Sequence, residues 1–211
     1  MKRKIEKVLP EQIEAKSFQM IEEEIHKEID PLLKPVVYRV IHTTADFEYA
    51  DTLCFSEGVV QQALDILKKG ATIVTDTNMV LAGINKAALK QLGCEAICFM
   101  ADPDVAEAAK EQGTTRAHAS IDKAASIKGA VIFAVGNAPT ALIRLRERMD
   151  EGKIHPSLVI GVPVGFVNVE AAKELIIEAD VPSIVSRGRK GGSNVAAAIV
   201  NALMYQLTRE Q

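Results

Sequence analysis

Short apolar runs alternate along this chain with longer stretches in which apolar side chains recur every three or four positions, and polar or glycine-rich segments separate them. A short apolar run bounded by turn residues indicates a buried strand, and the longer period an amphipathic helix. Val36–Ile41, Ala71–Val74, Ala96–Met100, Ala130–Val135, Leu158–Phe166 and Ser183–Val185 are therefore predicted as strands. Ala130–Val135 is apolar throughout, as a central parallel strand should be. The helical period predicts a first helix over Pro10–Ile29, with Phe18, Ile21, Ile25 and Ile29 on one face and Asp30-Pro31 as its stop. Further helices are expected over 56–69, 79–92, 102–112, 120–127, 140–149, 169–178 and 195–207, two of them ended by Gly70 and Gly93. In the helix carrying Leu142, Leu145 and Met149, the side chains of Arg144, Arg146 and Arg148 fall on the water face. The last helix is apolar nearly all round, which buries it in the fold or in a homodimer contact. Alternating strands and helices predict an α/β fold, a three-layer α/β/α sandwich around a mostly parallel sheet, as one domain over residues 1–211.

Parallel strands bring their exits to one edge of a sheet, so polar residues at those exits gather into one site. The first exit reads Arg39-Val40-Ile41-His42-Thr43-Thr44-Ala45-Asp46, and His42 is the best general acid or base on offer, or else a satisfied structural residue. At the second, Thr75-Asp76-Thr77-Asn78, Asp76 or Thr77 either caps the next helix or touches a ligand. In Gly136-Asn137-Ala138-Pro139-Thr140 the glycine lets a ligand approach the backbone, Asn137 caps the helix or offers its amide, and the helix N-terminus favours negative charge. Gly161-Val162-Pro163-Val164-Gly165 is a stiffened turn. The loop Ser186–Asn194 sets Arg187, Arg189 and Lys190 among Gly188, Gly191 and Gly192 ahead of a helix, an anion cradle in which amides and charges point the same way. Arg116 has no acids near it in sequence and is a candidate anion ligand, while His118 reads as a cap or surface group. Ser17, on the inward side of the first helix, is a tolerated small residue or a ligand contact at a cleft.

Composition narrows the chemistry. With 211 residues, 48% of them hydrophobic, the chain can bury one sizeable core. A formal net charge of -3 gives no global attraction to nucleic acid or an anionic membrane, and 4% aromatics without tryptophan argue against a base-stacking surface. Cys54, Cys94 and Cys98 are odd in number and lack paired zinc spacing, so they read as reduced thiols, and no other metal cluster stands out. The basic start, Met1–Lys7, lacks the apolar stretch of a signal peptide, and no apolar run approaches the roughly 20 residues that span a bilayer. A cytoplasmic protein without nucleic-acid or membrane partners is expected. Neither Gly-x-Gly-x-x-Gly nor a phosphate-binding loop occurs in the right place, so no cofactor is expected. An acid candidate, an anion cradle and no cofactor fingerprint point to proton-assisted isomerisation or lysis of a polyanion.

Taken together, Arg39–Asp46, Thr75-Asp76-Thr77-Asn78-Met79, Gly136-Asn137-Ala138-Pro139-Thr140-Ala141-Leu142, Gly161-Val162-Pro163-Val164-Gly165-Phe166-Val167 and Gly188-Arg189-Lys190-Gly191-Gly192-Ser193-Asn194 resemble the precorrin-8X methylmutases, also met as cobalt-precorrin-8 methylmutases. The stretches follow the family's order across nearly the whole chain, whereas Cys94–Cys98 and the basic first residues are idiosyncratic. The resemblance implies an isomerase that moves a methyl group from C-11 to C-12 of a tetrapyrrole, giving hydrogenobyrinate or cobyrinate. The methyl is already present, so neither a methyl donor nor a redox cofactor is implied. By the same resemblance His42 is the catalytic acid or hydrogen-bond donor, and Arg39, Arg116, Arg187, Arg189 and Lys190 receive substrate carboxylates. Ser17, Thr75, Asp76, Thr77, Asn137 and Thr140 are implied polar contacts, and a homodimer with the macrocycle at the subunit boundary is expected. A non-catalytic carrier of the same pigment, or a cofactor-free lyase or hydrolase of another polyanion, are the competing readings.

Overall fold

Six short strands form one sheet in the order β1-β6-β5-β4-β2-β3. They are Leu53–Phe55 (β1), Thr72–Thr75 (β2), Glu95–Ile97 (β3), Val131–Val135 (β4), Leu158–Gly161 (β5) and Ser183–Ser186 (β6). Five run parallel, and β1 pairs antiparallel with β6 at one edge. This computed structural model describes residues 7–209, so the basic first residues lie outside the described part apart from Lys7.

Period-two alternation along the strands feeds two apolar layers. Ile73, Ile132, Ala134, Leu158, Ile160 and Ile184 pack on one face under Ile13–Glu24 (α1), Lys34–Thr44 (α2), Val59–Lys68 (α4), Asn78–Gly83 (α5), Lys86–Gln91 (α6) and Ser193–Thr208 (α11). Tyr49–Thr52 (α3) is a single turn leading into β1. Val131, Phe133, Val135, Val159 and Val185 pack on the other face, under Arg116–Ala124 (α8), Pro139–Asp150 (α9) and Val169–Ile177 (α10). Val105 and Ala109 of Pro103–Glu111 (α7) pack with Ala119 of α8 in a small cluster beside that layer. The layers and the mostly parallel sheet are as expected. No described helix is long and apolar enough to cross a membrane.

The expected first strand is wrong. Residues 34–44 form the helix α2, with Pro35 in its first turn and Ala45 in a left-handed conformation at its end. Val36, Val37, Val40 and Ile41 are all buried at helical spacing, and Pro35 lacks only an amide that a first turn leaves unpaired anyway. The edge strand is instead β1, whose three residues carry almost no periodic signal. The first helix stops at Glu24, where Ile25 turns extended, and the helix expected over 79–92 breaks at Ile84–Asn85, with Asn85 capping α6. The last helix is buried within the fold, packed against α2, α4 and α5.

From β3 the chain crosses β2 to start β4, and it then proceeds outward through β5 and β6. The order therefore reverses between β2 and β4, and the carboxyl ends of those strands flank the crevice where open α/β sheets place ligands.

Candidate active site

At the reversal point each side chain of Thr75-Asp76-Thr77 is engaged within the protein. The Thr75 hydroxyl lies 3.1 Å from the Ile97 carbonyl oxygen and 3.2 Å from that of Thr77. Thr77 Oγ1 accepts the Val80 amide, capping α5, and lies 3.1 Å from Ser193 Oγ at the start of α11. Asp76 is only 4% exposed, and its carboxylate accepts the amides of Gly136 (2.9 Å), Asn137 (2.8 Å) and Ala138 (2.7 Å). Burial pushes this carboxyl above its usual range, and the three amides pull the other way. The chain's own carboxylate thus occupies the N-terminal end of α9, where a ligand's charge was expected. What approaches Gly136 is likewise the chain itself: a Cβ there would lie 2.8 Å from Ser193 Cα and 2.9 Å from the Gly192 oxygen. Asn137 stays exposed, its side chain without a hydrogen bond among the described residues, and Thr140 Oγ1 sits 2.9 Å from Thr115 Oγ1.

The cationic loop after β6 stands at the same carboxyl edge. Arg187 pairs with Glu174, Arg189 with Glu170, and Lys190 with Asp46 (2.6 Å) and Glu48 (2.8 Å). Hydrogen bonds to Asp46 and then Glu48 raise the Lys190 ammonium, while Lys190 lowers Asp46. Most of these side chains are exposed, and exposed pairs contribute little, so an incoming carboxylate can displace them. Gly191 is obligatory because a Cβ would collide with the carbonyl oxygen of Val162, whose oxygen also accepts the Gly192 amide at 2.9 Å. Beneath the loop lies a residue that sequence reasoning passed over. Lys173 on α10 is fully buried and donates to the carbonyl oxygens of Gly188 and Lys190, both at 2.7 Å. Burial pulls its ammonium down to about 8. An isolated lysine in an amphipathic pattern gives no sign of this, because its acceptors lie in another element.

Through Lys190 and Asp46 the cationic loop is tied to the segment that follows α2. His42 occupies the last turn of that helix, exposed and edge-on to Phe18 (5.6 Å between centroids, 84° between planes), with no hydrogen bond among the described residues. It shares a groove of about 270 Å³ with Ser17, Met20, Ile21, Glu24 and Phe47. The Ser17 hydroxyl donates back to the Ile13 carbonyl at 2.8 Å. Arg39 is not free: it forks onto Glu14 at 2.7 and 2.9 Å between the rings of Phe18 and Tyr205, and its Nε is buried without a partner. The Arg39 hydrogen bonds, with help from Arg209, hold the Glu14 carboxyl down to about 2. Arg116 begins α8 and, alone among the described arginines, has no carboxylate partner. Among the described residues no three of His, Cys, Asp or Glu gather as a metal site, and the three thiols are free.

The sequence model of the family described as precorrin-8X methylmutase matches residues 12–206, the segment that carries every candidate site residue. The chain belongs to the precorrin-8X methylmutase family. It is 46% identical over 205 residues to the cobalt-precorrin-8 methylmutase of Salmonella typhimurium, covering 94% of this chain and 96% of the relative. The cobalt-precorrin-8 methylmutase of Priestia megaterium is 44% identical over 198 residues, with 93% and 88% covered. The crystal structure of the precorrin-8x methyl mutase from Thermus thermophilus superposes with a TM-score of 0.85 at 40% identity, covering 93% of this chain and 98% of that one.

Proposed function

We propose that the protein is a cobalt-precorrin-8 methylmutase, an isomerase of cobalamin biosynthesis that moves the methyl group from C-11 to C-12 of the macrocycle. The carrying observation is the family match over residues 12–206, and both relatives named above for cobalt-precorrin-8 favour the cobalt form. His42 acts as general acid or strong hydrogen-bond donor to the ring beside the migrating methyl, stabilising the charge that develops as the bond shifts. Its support is an exposed imidazole with no hydrogen bond among the described residues, on a groove shared with Ser17 and one segment away from the cationic loop. Arg116, Arg187, Arg189, Lys190 and Asn137 receive carboxylates and ring substituents. Thr75, Asp76, Thr77 and Thr140 build the scaffold under them, and Arg39 braces α1 against α2.

The working unit is a homodimer with the macrocycle at the subunit boundary. Met79, Val164, Phe166 and Val167 follow the ends of β2 and β5, and they are 73%, 47%, 81% and 80% exposed, an apolar surface at the rim itself. Sedimentation equilibrium should return twice the chain mass, and a monomer at micromolar concentration would refute the dimer. Incubation with cobalt-precorrin-8, followed in the visible spectrum, tests the activity. Conversion is expected, and an unchanged chromophore beside folded protein rejects the assignment.

A further inference from the structure

A fully buried lysine is expensive unless its charge is matched, and ordinarily a carboxylate does the matching. Lys173 has no carboxylate partner within ion-pair distance among the described residues. Both of its hydrogen bonds go instead to carbonyl oxygens of one loop, Gly188 and Lys190. The buried Ser186 hydroxyl adds a second donor to the Lys190 oxygen at 2.9 Å. A trans peptide points its N–H opposite to its C=O, and there are no cis peptides among the described residues. With the carbonyls of Gly188 and Lys190 drawn onto the ammonium, the amides of Arg189 and Gly191 must face away from it. Neither amide has an acceptor among the described residues. Two amides without acceptors, flanked by an Arg and a Lys side chain, offer donors and positive charge to an anion.

We propose that Lys173 is the positioning residue of this loop: it turns the Gly188–Gly191 backbone so that the amides of Arg189 and Gly191, with the flanking side chains, take one carboxylate of the substrate. The proposal rests on the functional reading above and adds to it a residue that never touches the substrate. An apolar side chain would hold α10 to the sheet equally well, so the ammonium serves the loop rather than the core.

Lys173→Met keeps the bulk and removes the donor. In the intact protein, confirmed as folded by circular dichroism, tryptic cleavage after Arg187, Arg189 and Lys190 should accelerate about tenfold as the loop comes loose. With cobalt-precorrin-8, KM should rise about tenfold while kcat stays within about twofold, the pattern of lost ground-state binding. Ser186→Ala, which removes only the second donor, should shift both readings the same way and less, and it decides the matter if Lys173→Met does not fold. An unchanged cleavage rate, or faster cleavage with an unchanged KM, overturns the proposal. Should the unaltered protein leave cobalt-precorrin-8 untouched, the functional reading fails, and the tryptic rates still judge the latch.

Discussion

His42 is exposed and meets Phe18 ring to ring at 84°, so its removal takes away a proton donor and little packing. His42→Ala should therefore lower turnover by about 10²–10⁴-fold while the visible-band shift on product binding persists. Loss of binding in step with turnover would instead make the imidazole a binding group. Asp76 presents the opposite case, a carboxylate whose environment is wholly internal. Asp76→Ala strands three amides at the sheet reversal and should cost about 3 kcal/mol in urea denaturation. Asp76→Asn keeps an acceptor oxygen but turns an NH₂ toward those donors, so it should fall between. In the sequence Asp76 reads as a cap or a ligand contact, because its three partner amides lie 60 to 62 residues away. Lys173 was invisible for the same reason, its acceptors being 15 and 17 residues on in a loop that no local pattern aims back at α10.

At the scale of elements, α2 shows how a short apolar run misleads. Val36, Val37, Val40 and Ile41 are β-branched and consecutive enough to resemble a strand, yet their spacing covers one helix face, and packing against α11 selects the helix. Ile41 is 1% exposed, so Ile41→Ala should destabilise by about 3 kcal/mol and loosen the turn that carries His42. Thermal melting and turnover of that variant check both. Between α8 and α9, two of the three arginines expected to face water clasp Asp122 instead, Arg144 at 2.8 Å and Arg148 at 2.6 Å. Burial raises the Asp122 carboxyl, but the two guanidinium groups outweigh it and bring it from 3.8 to about 2. Because the folded value is the lower one, this stabilisation is complete above about pH 4 and is lost as pH falls through about 2. Its size is about 2 kcal/mol, and Asp122→Asn should remove that part of the acid limb in urea titrations between pH 5 and pH 2. An unchanged acid limb would place the sensitivity elsewhere.

Across the whole molecule, the reversal of strand order between β2 and β4 and the shared carboxyl edge bring five distant loops to one rim. With a formal net charge of -3, attraction of a polycarboxylate must come from that rim alone. Product affinity, titrated spectrally, should weaken by about tenfold on raising salt from about 0.05 to 0.5 M, since the cations involved are exposed. Insensitivity to salt would point to apolar stacking as the main source of binding. The sequence by itself determined the alternation of strands and helices, the layers, the family, and which loop carries the cations, because these depend on local periodicity and contiguous motifs. Only the tertiary structure decided that residues 34–44 are a helix, that Asp76 and Arg39 are internally engaged, and that Lys173 stands under the cationic loop. Those outcomes depend on which groups meet across the chain, and contact energy between distant segments leaves no period in the sequence.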